Sequence, residues 1–125
     1  MAKIKLLVDT DVFIEYFNHG KISELFDSPE FDVHYSVVTR KELLTKPGLK
    51  DSEKKAIKIV LARFLEIFLN VRITERCTDL GRRYPALEKE DALIAATALA
   101  RRLPLVTRNR KRFQFIQGLT LFSPR

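Results

Sequence analysis

The sequence predicts an α/β fold, a central parallel sheet of four to five strands wrapped by helices. Three observations carry this. Ile4-Lys5-Leu6-Leu7-Val8 is a short apolar run of the kind that a strand buried on both faces requires. Apolar runs of this kind alternate with segments of helical spacing along the chain, which is the βα pattern of a parallel sheet. The segment Asp91 to Arg102 is apolar nearly all round, so it belongs in an interior.

The elements follow in order. Ile4–Val8 reads as the first strand. A helix follows from Asp11 to Phe17, with Val12, Phe13, Tyr16 and Phe17 at helical spacing and His19-Gly20 ending it. A second helix through Ile22, Leu25 and Phe26 stops before Ser28-Pro29. Val33–Ser36 is a short second strand, and Val37 to Thr45 a helix containing Glu42, terminated by Pro47-Gly48. Ser52 can cap a longer helix running to about Phe68, because Ile57, Val60, Leu61, Phe64, Leu65 and Phe68 recur at intervals of three and four. Val71–Ile73 is then a third strand, and Glu75 to Tyr84 a helix broken by Pro85. After the helix from Asp91, Leu103–Thr107 is a fourth strand and Leu119–Phe122 a fifth.

A chain of 125 residues with 46% apolar content can close one core, and a single domain over residues 1–125 is expected. The 23 basic residues outnumber 16 acidic ones, and a net charge of +7 favours a polyanionic partner, nucleic acid being the commonest. The lone Cys77 excludes an intramolecular disulfide and a Cys-rich zinc site. It reads as a small core residue. No apolar stretch approaches the ~20 residues of a membrane span. The start lacks the layout of a signal peptide, so the cytoplasm is the expected location.

Asp9 directly follows the first strand, and open α/β sheets bind ligands just beyond the carboxyl ends of their strands. Asp is also a common helix N-cap, and either Asp11 or Thr10 can take that job here. Glu42 has a plain alternative as a solvated helix residue paired with Lys46, and Asp91 can act as a cap at the head of Ala92-Leu93-Ile94-Ala95-Ala96. Glu88 and Glu90 are neighbouring acids. If these carboxylates cluster, two of them ~4 Å apart repel by about 4 kcal/mol at an effective dielectric near 20. Such a group must hold a proton or bind a cation. Oxygen ligands with room for water suit Mg²⁺ or Mn²⁺. His19 and His34 show no ligand spacing, which argues against zinc. A hard dication on a basic protein points to phosphodiester chemistry, in which it activates water and offsets charge on the phosphate.

Thr107-Arg108-Asn109 follows the fourth strand and so shares the sheet edge with Asp9. The Thr107 hydroxyl and the Asn109 amide can orient water or phosphate there, and Asn109 can equally serve the turn. Arg108, Arg110, Lys111 and Arg112, interleaved with Phe113 and Phe115, form a basic cluster that could contact a nucleic-acid backbone and stack on bases. A solvated charge run beside core aromatics has the same composition.

Taken together, Leu6-Leu7-Val8-Asp9-Thr10-Asp11-Val12, Val38-Thr39-Arg40-Lys41-Glu42-Leu43, Asp91-Ala92-Leu93-Ile94-Ala95-Ala96-Thr97-Ala98 and Leu105-Val106-Thr107-Arg108-Asn109 resemble a PIN-domain ribonuclease, in particular the VapC toxins of toxin–antitoxin pairs. The resemblance spans nearly the whole chain. It implies a three-layer α/β/α fold with Asp9, Glu42 and Asp91 as the principal acids holding Mg²⁺ or Mn²⁺, and Thr107 as the hydroxyl near the site. The fourth acidic position falls at Asn109, a neutral amide, which weakens the case for a second tightly bound metal. The resemblance further implies RNA as substrate, an antitoxin partner and a homodimer. Phe13, Tyr16, Phe17, Ile22, Leu25 and Phe26 offer more apolar surface than one core face needs, so a groove for an amphipathic partner segment is expected on the first two helices.

Two other readings exist. Asp9-Thr10-Asp11-Val12 fits the first motif of haloacid-dehalogenase-like phosphatases, with Asp9 as nucleophile, but no acid follows residue 107 to complete that site. A non-catalytic module binding RNA or protein through a degenerate site would account for Asn109.

Overall fold

The structure, a computed structural model, describes residues 2–123. Four strands form one sheet: β1 (Ile4–Val8), β2 (Phe31–Ser36), β3 (Leu65–Ile67) and β4 (Leu105–Val106). All neighbours are parallel and the order is β3-β2-β1-β4. Six helices surround it: α1 (Thr10–His19), α2 (Ser23–Asp27), α3 (Val37–Leu44), α4 (Asp51–Leu61), α5 (Val71–Arg83) and α6 (Lys89–Arg101).

Side chains alternate across a strand, and that alternation divides the interior in two. Leu6 and Val8 of β1 face a core with Val12, Phe13, Leu25, Phe26, Val33, Tyr35, Leu61 and Val106. Leu7 faces the other way, with Leu105, into a core with Ile73, Leu80, Ile94, Ala95 and Phe113. The first core lies under α1 to α4 and the second under α5 and α6, so the sheet is the middle of three layers. The small residues Ala92, Ala95, Ala96 and Ala98 let α6 pack closely, and all are buried. Gly20 ends α1 at φ 65°, a backbone angle that favours glycine.

Two departures from the expected elements occur in one stretch. The long helix to Phe68 stops at Leu61, and the third strand is Leu65–Ile67, not Val71–Ile73. Phe64 turns inward, its ring 5.7 Å from that of Phe26, and this ends the helical register. Val71–Ile73 instead opens α5, capped by Asn70, whose Oδ1 accepts from the Ile73 N–H at 2.9 Å. The cap of α4 also differs. Helix α4 begins at Asp51 rather than beyond Ser52, and the Glu53 carboxylate accepts the Lys50 N–H at 2.9 Å. Leu119–Phe122 contributes only an isolated parallel bridge from Leu121 to Leu105, so the sheet has four strands.

The placement of β3 at the edge leaves Leu65, Phe68 and Val71 on the surface, each more than half exposed. No helix among the described residues is long and apolar enough to cross a membrane.

Candidate active site

Strands β1 and β4 are neighbours, yet the chain leaves β1 toward β2 on the other side. Their carboxyl ends therefore flank a point where the connections diverge, and α/β sheets open a crevice at such a point. Asp9 and Thr107 stand at these two ends. The Asp9 N–H donates to the Val106 carbonyl at 2.9 Å, which continues the β1–β4 ladder and fixes the position of the carboxylate.

Asp9 is only 2% exposed. Its Oδ1 accepts the Thr10 N–H at 2.8 Å, so Asp9 rather than Asp11 caps α1. Its Oδ2 accepts from the Thr107 hydroxyl at 2.9 Å and from Arg112 Nη2 at 3.2 Å. Burial, and then the nearby Asp11, push the carboxyl up to about 7, against the opposing pull of Thr107, Thr10 and Arg112. Thr107 has a second role, because its oxygen accepts the Asn109 N–H at 3.1 Å. Asn109 itself is exposed.

Asp91 arrives from the first turn of α6 and is also buried. Its Oδ1 accepts from Arg112 Nη1 at 3.0 Å. Burial raises its pKa, Arg112 opposes the shift, and the negative charges of Glu88, Glu42 and Asp11 add to it. Glu42 lies on α3. Thr10 Oγ1 is 2.6 Å from Glu42 Oε1 and 2.9 Å from Thr39 Oγ1. A hydroxyl has one proton to give, so Thr10 gives it to the carboxylate and takes one from Thr39. Thr39 is fully buried, and the pair of threonines holds Glu42 toward the Asp9 end of the crevice.

Arg112 differs most from its expected place. The sequence assigned it to a patch facing RNA, but its guanidinium lies among the acids. It contacts Asp9 and Asp91, and Asp11 Oδ2 at 3.6 Å. A short 3₁₀ turn over Arg110–Arg112 directs it inward while the buried Phe113 anchors the chain behind it. Arg108 is paired too, its Nη1 2.9 Å from Glu15 Oε1 and its backbone N–H donating to Asp11 Oδ1 at 3.3 Å. Arg110 donates to the Ser123 hydroxyl at 3.0 Å, and Lys111 is exposed. Neither has an acidic partner among the described residues. Phe113 is buried and cannot stack on a base, whereas Phe115 is 48% exposed beside Tyr84.

Among the described residues, no three Asp, Glu, His or Cys side chains are grouped so that they can hold a metal ion together in this arrangement. Arg112 stands between Asp9 and Asp91. The donor set still suits a hard dication. It is made of carboxylate oxygens, and the raised Asp9 pKa reflects burial first and the neighbouring Asp11 charge second, both of which disfavour an unpaired carboxylate there. The guanidinium is an imperfect match, since its Nε is buried without a hydrogen-bond partner. Glu88 and Glu90 are exposed at the head of α6.

The apolar residues of the first two helices divide. Phe13, Leu25 and Phe26 are core, so they do not line a partner surface. Ile14 and Phe17 line a groove of about 350 Å³ with Leu43, Leu49, Ile57 and Val60, and the groove reaches Glu42.

The PIN domain family model matches residues 6–117. The chain is 30% identical to Ribonuclease VapC1 of Methanocaldococcus jannaschii over 95% of its own length and 88% of that protein. The structure is similar to VapBC2 from Rickettsia felis bound to a promoter DNA fragment, with a TM-score of 0.84 and 23% identity over 98% of this chain and 100% of that one. It is also similar to a toxin–antitoxin complex from Klebsiella pneumoniae, with a TM-score of 0.78 and 29% identity over 92% of this chain and 95% of that one.

Proposed function

The chain belongs to the PIN domain family, and on that premise we propose that it is a metal-dependent ribonuclease, the toxin of a toxin–antitoxin pair. One observation carries the proposal. Two buried carboxylates, Asp9 and Asp91, come from opposite ends of the chain and share one cation at the mouth of a sheet crevice. Burying like charges together is costly, and a fold that needed only packing would fill these positions with apolar residues.

Asp9 and Asp91, with Glu42, would hold Mg²⁺ or Mn²⁺. When bound, such an ion supplies Lewis acidity, lowering the pKa of water and offsetting charge on the phosphate. The chain does the rest. Thr107 and the Thr10 N–H hold Asp9 in one rotamer, and Thr10 with Thr39 holds Glu42. Exposed Arg110 and Lys111 bind the RNA backbone beside the crevice. Water attacks phosphorus, the bond to the 3′ oxygen breaks, and the products carry 5′-phosphate and 3′-hydroxyl ends. End mapping of cleaved RNA tests this. Products ending in 2′,3′-cyclic phosphate would mean that the ribose hydroxyl, not water, attacks.

The antitoxin would lay an apolar segment into the groove beside Glu42, where Ile14, Phe17, Leu49 and Ile57 offer side-chain pockets. A homodimer would bury Leu65, Phe68 and Val71 at the β3 edge. Binding of RNA rests on charge, so replacing Arg110 and Lys111 together with Gln should weaken it uniformly across sequences. The slope of log K against log salt should fall by ~0.7 for each single-strand phosphate that these side chains neutralise. An unchanged slope in filter-binding titrations would exclude both from the RNA interface.

A further inference from the structure

Arg112 puts a cation where the nuclease reading puts a metal. Its Nη1 lies 3.0 Å from Asp91 Oδ1, and its Nη2 lies 3.2 Å from Asp9 Oδ2 and 3.6 Å from Asp11 Oδ2. The backbone behind it is pinned: the Arg112 N–H donates to the Asn109 carbonyl at 3.2 Å and the Phe113 N–H to the Arg110 carbonyl at 3.0 Å. The side chain is otherwise free to leave. It is 38% exposed, its buried Nε has no acceptor in the inward position, and besides the carboxylates the guanidinium meets the ring of Phe113, 5.3 Å from its centre. A guanidinium and a dication cannot both take Asp9 Oδ2 and Asp91 Oδ1.

We propose that Arg112 is a built-in counter-cation that closes the carboxylate cluster in the metal-free protein and must swing out before a divalent ion binds. The proposal rests on the metal-dependent reading above and adds to it a competition inside the chain. The metal then meets only the fraction of molecules in which the guanidinium has left, and its apparent affinity falls by that fraction. Losing Arg112 removes the competitor and leaves the acids unpaired, so the metal-free protein becomes less stable while its metal affinity rises.

The test is calorimetric titration of the full chain with Mn²⁺, comparing wild type with Arg112→Gln. The variant should bind Mn²⁺ about tenfold more tightly, as for a cluster open in roughly one wild-type molecule in ten. Its melting temperature in EDTA should be lower, and the rise on adding Mn²⁺ larger. Equal or weaker Mn²⁺ binding by the variant overturns the proposal. Should Arg112→Gln fail to fold, the wild type alone decides. The NMR signal of the Arg112 Nε–H should shift on Mg²⁺ saturation, and a signal that stays put overturns the proposal. Asp9→Asn separates the two layers. Wild-type Mn²⁺ binding that this variant abolishes upholds the metal site even if the competition is absent. No Mn²⁺ binding by either the wild type or a folded Arg112→Gln removes both.

Discussion

Asp9→Asn is expected to lower RNA cleavage by about a hundred- to a thousandfold, the scale on which a single group acting on transition-state charge is lost. The same variant should be more stable than wild type at pH 8 in EDTA. An acid whose folded pKa stands above its unfolded value keeps its proton longer in the native state. Asp9 is raised from 3.8 to about 7, so between those limits the native protein binds more protons than the unfolded chain, and stability falls as pH rises through the window. An amide at position 9 keeps one oxygen for the Thr10 N–H, and its NH2 group stands where Oδ2 accepted, so it donates to the Thr107 oxygen and gives up the contact with Arg112. Melting curves at pH 5 and pH 8 in EDTA provide the check. Wild type should lose stability between the two, by a few kcal/mol at most from this group, and the variant should not. An equal fall in both proteins would place the destabilising charge elsewhere. A stabilising change that removes activity is what a site built at the expense of the fold should show.

Phe13→Ala is expected to cost about 3–5 kcal/mol, the range for emptying a buried aromatic site. A typical domain has only about 5–15 kcal/mol to lose. Phe13 is fully buried, and its ring meets Phe26 at 5.0 Å, Tyr35 at 5.9 Å, Phe17 at 6.2 Å and Phe64 at 6.4 Å. These partners come from α1, α2, β2 and the turn after α4, so one truncation loosens four segments. Phe13 also seats α1, whose first turn carries Thr10 and Asp11 into the crevice. Urea unfolding followed by circular dichroism gives the number. A loss below about 1 kcal/mol would mean that neighbouring rings collapse into the space, and that the aromatic cluster is looser than these distances imply.

What the sequence disclosed depended on how each signal is encoded. Leu6-Leu7-Val8 with Asp9 behind it is legible because the buried end of a central strand must be apolar on both faces, and the acid at its end breaks that run. The head of α6 was legible for the same reason: Asp91 marks a sharp change from charged to apolar residues. The stretch after Leu61 was not. A three-residue edge strand has no period of its own, and Phe64, Leu65 and Phe68 continue the helical spacing of α4 by coincidence. The Asn70 cap was the available signal, an Asn immediately before a run that becomes α5. Thr39 needed the fold, because its partner Thr10 lies 29 residues away. Arg112 was the least readable of all. In Arg108-Asn109-Arg110-Lys111-Arg112 the cations look alike, and only a 3₁₀ turn decides that one points at three carboxylates while Lys111 stays in solvent.

If the protein is the metal-dependent nuclease proposed above, Asp9 and Asp91 act together through a divalent ion when RNA is cut. Purified protein, free of any partner, should cleave end-labelled RNA in Mg²⁺, fall silent in EDTA, recover when Mg²⁺ is returned, and remain silent as Asp91→Asn under every condition while still folded. Cleavage that persists at full rate in EDTA, or in the folded Asp91→Asn variant, would contradict that requirement.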